Sequence, residues 1–288
     1  MLRKGDLTQG GITTTLLQFT LPMLAGSLLQ QCYNIADTLI VGQCIGANAL
    51  AAVGSAYTLM VFLISILLGL SMGSGTVFSL QYGAGDLSAL RRSIYVSLLL
   101  IGTVTILLNV AVFLWLDPIL RWLQVPYDIY SLMRNYLWII FWGIVFTFLY
   151  NFYAALLRAV GDSVTPLWFL AVSVVLNIGL DLFLILVLDQ GIEGAAVATV
   201  IAQGTAASGI LLYTYKTRPE LRLHREDMCF DRSSLREITS FSTLTCVQQS
   251  VMNFGILMVQ GLVNSFGTVV MAAFAAAVKI DSFAYMPV

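Results

Sequence analysis

Charge is what this chain has least of: Asp, Glu, Lys and Arg make up 10% of its 288 residues. A soluble domain carries about 25%. The net charge is −1, so there is no basic surface to offer nucleic acid, and such a partner is not expected. Cysteine is scarce as well. Cys32, Cys44, Cys229 and Cys246 form neither a CxxC pair nor a metal-ligand spacing. Cys32 and Cys246 fall in apolar segments as small packing residues. What the chain has in plenty is apolar side chains, at 59%, with a mean hydropathy of +0.89. That excludes a water-soluble globule.

About 20 apolar residues cross a hydrocarbon core as a helix. On that rule spans fall at 13–40, 48–80, 93–116, 132–156, 165–188, 193–215 and 238–264, with an eighth opening near 268. The basic start, Met1 to Lys4, resembles a signal-peptide flank. The stretch behind it is too long and leads into further spans, so it reads as a retained first span. Arg3, Lys4, Arg91, Arg92, Arg158, Lys216, Arg218, Arg222, Arg225, Arg232 and Arg236 fall on one side, and only Arg121 and Arg134 on the other. The excess marks the cytoplasmic side and places the N-terminus there. Trp115, Trp122 and Trp138 near span ends suit an interfacial belt.

Residues 216–236, which include the sole histidine, His224, are the one markedly polar stretch. They read as a solvated cytoplasmic loop after six spans. Beyond it the pattern restarts. A constant shift of 221 residues sets Gly46 on Gly267, Ala51-Ala52 on Ala272-Ala273, Ile35 on Ile256, Ala56 on Ala277 and Phe62 on Phe283. An even number of spans per repeat makes two such units parallel. The expected fold class is therefore an all-α polytopic membrane protein. Its parts are a six-helix lobe over 1–215, a linker over 216–236, and over 237–288 the first one to two helices of a second parallel repeat. The chain reads as a fragment of a longer one.

Two carboxylates, Asp37 and Asp181, sit inside stretches otherwise fit to cross a membrane. A charge at bilayer depth costs at least ~2.5–3.5 kcal/mol and usually marks an ion or substrate path. The first span runs outward, and Asp37 lies about four residues before its expected end, ~6 Å deep at 1.5 Å per residue. The same rise puts Asp181 and Thr199 ~10 Å deep on two other spans, with Asn177 one turn further in on the face of Asp181. Carboxylate, amide and hydroxyl oxygens suit a hard cation, and a carboxylate pair can equally hold a proton. No arginine or lysine shares that depth in the first six spans. Asp37, Asn177, Asp181 and Thr199 thus form the candidate cation site, for Na⁺ or H⁺. Pro22, inside the first span, removes a backbone hydrogen bond and permits a kink, making it the candidate hinge.

Other signals carry less. Gly42-x-x-x-Gly46 and Gly69-x-x-x-Gly73 are helix-packing contacts. Gly83-Ala84-Gly85-Asp86 matches the GxGD pattern of intramembrane aspartyl proteases, but Asp86 falls at a cytoplasmic loop and Asp181 in the outer half. Lys279 and Asp281 lie in the eighth span.

Leu157-Arg158-Ala159-Val160-Gly161-Asp162-Ser163-Val164-Thr165-Pro166, followed by Asn177 and Asp181, resembles the loop and fifth helix of the multidrug and toxic compound extrusion (MATE) transporters. Asp37-Thr38-Leu39-Ile40-Val41-Gly42 is similar to the end of that family's first helix. The resemblance covers nearly the whole chain. It implies twelve helices in two six-helix lobes, with a small organic, cationic substrate exported in exchange for Na⁺ or H⁺. It also implies no other cofactor, no enzymatic activity, a monomer when full length, and a multi-pass place in the bacterial cytoplasmic membrane. The family's N-lobe cation site corresponds to Asp37, Asn177, Asp181 and Thr199, and its first-helix proline to Pro22. The seventh-helix glutamate of one branch is replaced by Met252, with Gln248 and Gln249 nearby. That departure favours the DinF-like or related branch.

The expected function is a cation-coupled multidrug antiporter working by alternating access. A lipid-linked oligosaccharide flippase of related plan would need cavity cations to hold pyrophosphate, and the charges found at that level are acidic. The other alternative is an inactive, truncated piece of the transporter.

Overall fold

The computed structural model describes residues 12–284 apart from 225, 229 and 230, without the side chains of 12–16, 18, 233 and 279–284. Every regular element among them is helical. The order is α1 (Ile12–Cys44), α2 (Ala47–Gly83), α3 (Leu87–Trp122), α4 (Tyr127–Trp142), α5 (Ile144–Ala159), α6 (Val164–Leu182), α7 (Gly191–Thr217), α8 (Arg232–Asn264) and α9 (Thr268–Ala284). A π-turn, Phe183–Val187, prolongs α6, and a 3₁₀ turn, Pro219–Leu221, follows α7. Five of these helices are long and apolar enough to span a membrane, and α4 with α5 makes a sixth span bent by 48°. α1 has 33 residues, ~50 Å of helix, but carries Gln30, Gln31, Asn34 and Asp37 along its second half. The chain is a polytopic membrane protein.

Three breaks have local causes. The expected fourth span, 132–156, is two helices meeting at Gly143, where the Val200 side chain and the Ile140 carbonyl leave no room for a Cβ. α3 kinks at Trp115, whose φ/ψ of −113°/16° leaves the helical well three residues before Pro118; that proline cannot donate to the turn before it. α1, by contrast, stays helical through Pro22. It also runs on to Cys44, where the sequence places its end near residue 40. Gln43, in that added turn, faces outward as an exposed residue.

The corner after α1 turns on Gly46 (φ 118°), and the corner after α8 on Gly267 (φ 90°). Both are left-handed conformations that only glycine adopts without strain. They stand at equivalent positions under the 221-residue shift.

α2 is the hub. It packs on α3, α4 and α5 on one side and on α8 and α9 on the other. Its small residues permit this approach: a Cβ on Gly69 would overlap the Cys246 backbone, and one on Gly73 the Ser242 backbone. Near the opposite end of the seam, buried Ser55, Thr58, Gln260 and Asn264 hydrogen-bond to one another at 2.8–3.2 Å. Asn264 also donates to the Leu123 carbonyl at 2.8 Å. Helices in lipid associate through such close packing and hydrogen bonding, because burial from water no longer drives them.

Candidate cation site

Asn177 and Asp181 project from one face of α6, and both are buried, Asp181 completely. Turned so that each end meets a complementary partner, the Asn177 amide donates from Nδ2 to Asp181 Oδ2 at 2.9 Å. Its oxygen then accepts from the Thr199 backbone N–H at 3.3 Å. α6 and α7 are thereby tied at this level. Asp181 Oδ1 has no hydrogen-bond partner among the described residues. An unsatisfied buried acceptor costs about 1–3 kcal/mol, more for a charged one.

α1 closes the third side. Tyr33, one turn before Asp37, brings its hydroxyl to 3.5 Å from Thr199 Oγ1. Asp37 and Asp181 lie within electrostatic reach of each other, and Tyr33 feels both. Tyr136 of α4, almost fully buried, feels Asp37, Asp181 and Tyr33 in turn. Asn177, Asp181 and Thr199 thus meet between α6 and α7, and α1 reaches them through Tyr33, with Asp37 one turn further along that helix. With α1 ending at Cys44, Asp37 stands ~10 Å from the helix end rather than ~6 Å, the level expected for Asp181 and Thr199.

Two members were not anticipated. Tyr33 had a signal, the single-turn spacing to Asp37. Tyr136 had none, since an isolated tyrosine in an apolar span looks like packing. The π-turn two residues after Asp181 was also unforeseen; such turns recur at functional sites.

The ion pairs among the described residues do not involve Asp181. Arg134–Asp117 (2.9 Å) joins α4 to α3. Arg91–Asp227 (2.9 Å), Arg218–Asp162 (3.3 Å) and Arg218–Glu220 (3.4 Å) hold the stretch between α7 and α8, where His224 Nδ1 also lies 3.4 Å from Asp227. No group of three His, Cys, Asp or Glu suited to a metal ion occurs among those residues.

The remaining motifs also find places. Asp86 caps α3, accepting from Ala89 N–H and Ser88 Oγ at 2.9 Å each, which accounts for the GxGD match without catalysis. Asp162 of the 157–166 motif caps α6 by accepting from Thr165 N–H (3.1 Å) and Oγ1 (2.9 Å). Its neighbour Ser163 donates to the Phe19 carbonyl at 3.1 Å, close to Pro22. Met252 and Gln248 are exposed on α8. The side chains of Lys279 and Asp281 lie outside the described residues.

A bundle of spans with two carboxylates inside it, backed by an amide and hydroxyls, defines the class as a polytopic membrane protein with a buried acidic site. The chain belongs to the MATE family: the family model MatE matches residues 22–183. It is 34% identical over 282 residues to the probable multidrug resistance protein YpnP of Bacillus subtilis, covering 98% of this chain and 63% of that protein. It is 27% identical to the multidrug export protein MepA of Staphylococcus aureus, covering 93% of this chain and 59% of MepA. Among solved structures, the Vibrio cholerae MATE transporter VcmN in its bent form superposes with a TM-score of 0.80 at 26% identity, over 95% of this chain and 62% of that one. The chain thus spans about three-fifths of the length of these relatives.

Proposed function

We propose that the protein of which this chain forms part is a cation-coupled antiporter that exports cationic amphiphiles by alternating access. Residues 1–215 make its first six-helix lobe, 216–236 a cytoplasmic linker, and 237–288 the opening of the second. The N-terminus lies in the cytoplasm of a bacterial cell, and the full-length protein works as a monomer. The observation that carries the proposal is the fully buried Asp181, held by Asn177 on an apolar helix. Beside it α1 brings the Tyr33 hydroxyl to 3.5 Å from Thr199, with Asp37 one turn further along that helix. An anionic pocket in low dielectric needs a positive partner. A bound Na⁺, a proton or a cationic substrate meets that need, and they compete for it.

Asp37, Asn177, Asp181 and Thr199 hold the cation. Loading removes the negative charge that retains substrate, and the ion gradient resets the lobes. Coupling requires the two ligands to favour different states, since equal affinity shifts nothing. Pro22 gives α1 the freedom to bend between those states. The test is efflux by the full-length protein in proteoliposomes, with Na⁺ and pH gradients imposed separately. Asp37→Asn and Asp181→Asn should each abolish gradient-driven efflux at normal membrane abundance. Wild-type efflux in both variants would remove the mechanism.

A further inference from the structure

The bend between α4 and α5 is not explained by the cation site, yet it adjoins it. Beside Gly143 lies a cavity of about 50 Å³ inside the six-helix bundle, lined by α2, α4, α5 and α7. One water needs roughly 10–15 Å³ measured with a water-sized sphere, so the space holds at least one. Most of the wall is apolar, including Met60, Ile64 and Ile140. Its polar side chains are Thr147, Thr199 and Gln203. Thr199 is shared with the cation site, and Gln203 stands one turn further along α7. On α5, Asn151 continues the row one turn beyond Thr147, whose carbonyl it meets at 2.8 Å.

The break itself stands in this wall, at Ile140, Phe141 and Gly143. A helix ending at Trp142 leaves its last carbonyls without the usual partners. Here Gly143 N–H bonds back to Ile140 O at 2.8 Å, a three-residue closure that satisfies one of them. Interrupted helices whose C-terminal carbonyls face a cavity are how membrane transporters hold small cations at mid-depth. All these oxygens are neutral. They can solvate a cation in passage but cannot keep it as a carboxylate pair would.

We propose that this cavity is a second, transient cation station. Thr147 and Gln203 receive a hydrated monovalent cation from Thr199 and pass it toward the cytoplasm. The inference rests on the antiport reading above and adds the ion's exit route. Its direction follows from the chain: α5 and α7 both run inward, so each successive polar turn lies closer to the cytoplasm.

The test uses the full-length protein in proteoliposomes, with the cationic dye ethidium as substrate and Na⁺ and pH gradients applied separately. Thr147→Val and Gln203→Leu keep the volume and remove the oxygens. Each should lower gradient-driven exchange roughly tenfold, the scale on which secondary ligands tune a bound cation. Ethidium binding should be unchanged and Thr147→Ser close to wild type. Loss under the Na⁺ gradient alone assigns the station to Na⁺, and loss under both to a hydrated path that also serves protons. In a thiol-free background, Gln203→Cys should react with a small cationic thiol reagent added from the cytoplasmic side, and Na⁺ should slow the reaction. Wild-type exchange in both apolar variants, or an unreactive Gln203→Cys in folded protein, would show a dry packing gap and overturn the proposal. Failure of the antiport reading looks different, because wild-type protein would then show no gradient-driven efflux at all.

Discussion

Asn177 has a place that neither carboxylate could fill. Its amide reaches Asp181 from one end and the α7 backbone from the other, so it fixes where the anion sits. Asn177→Leu leaves Asp181 without that donor, which by the cost of an unpaired buried acceptor removes about 1–3 kcal/mol. The expected result is a lower midpoint of thermal unfolding in detergent together with weaker cation binding, whereas Asn177→Gln should keep part of both. Tyr33→Phe removes only a hydroxyl contact at 3.5 Å. It should leave stability within about 0.5 kcal/mol, the range of minor substitutions, and alter the balance between cation and substrate, as read by competition binding. At this scale the sequence was informative wherever a polar group was expensive. Asp37 and Asp181 stood out because charge is rare in such stretches, and Asn177 and Thr199 followed from helical spacing and depth. Tyr136 stayed hidden because a tyrosine in an apolar span costs little and so signals little.

Helices tell a similar story with different exceptions. Span positions were legible from hydropathy, but Gly46, expected as half of a Gly42-x-x-x-Gly46 helix-packing pair, is instead a left-handed corner with open space where a Cβ would stand. The division of the fourth span at Gly143 was not legible, because both halves are apolar and one glycine within a helix is tolerated. The cause lies in packing: Val200 of α7 occupies the space a Cβ would need. The end of α1 was placed near residue 40, whereas the helix runs on to Cys44. The α2–α8 seam makes a sharper prediction. Gly73→Val would push a branched side chain into the Ser242 backbone, and overpacking of this kind costs about 1–3 kcal/mol. Its effect should be a lower unfolding midpoint in detergent. Gly83→Ala, at a position with open space around it, should leave the midpoint unchanged.

Across the whole molecule, the stretch between α7 and α8 is held to the adjoining helix ends by charge. Burial pushes the Asp227 carboxyl up, but the His224 backbone N–H and the Arg91 guanidinium outweigh it, holding the group below the ordinary carboxylate range. A depressed folded value means this contact contributes fully above the unfolded value of about 3.9 and is lost as pH falls through the folded one. A spin label on Met228→Cys should therefore stay immobilised from neutrality down to about pH 5 and loosen only below about pH 4. With Arg91→Gln it should be looser at every pH. On the antiport reading proposed above, the α2 seam and the loop strap join two lobes that move against each other, and the acidic pocket supplies the driving force. The most direct measurement of this claim is cation displacement from purified full-length protein, read as Na⁺ or H⁺ released when ethidium is added. The account predicts release from wild type and none from Asp181→Asn. Equal release from both would contradict it.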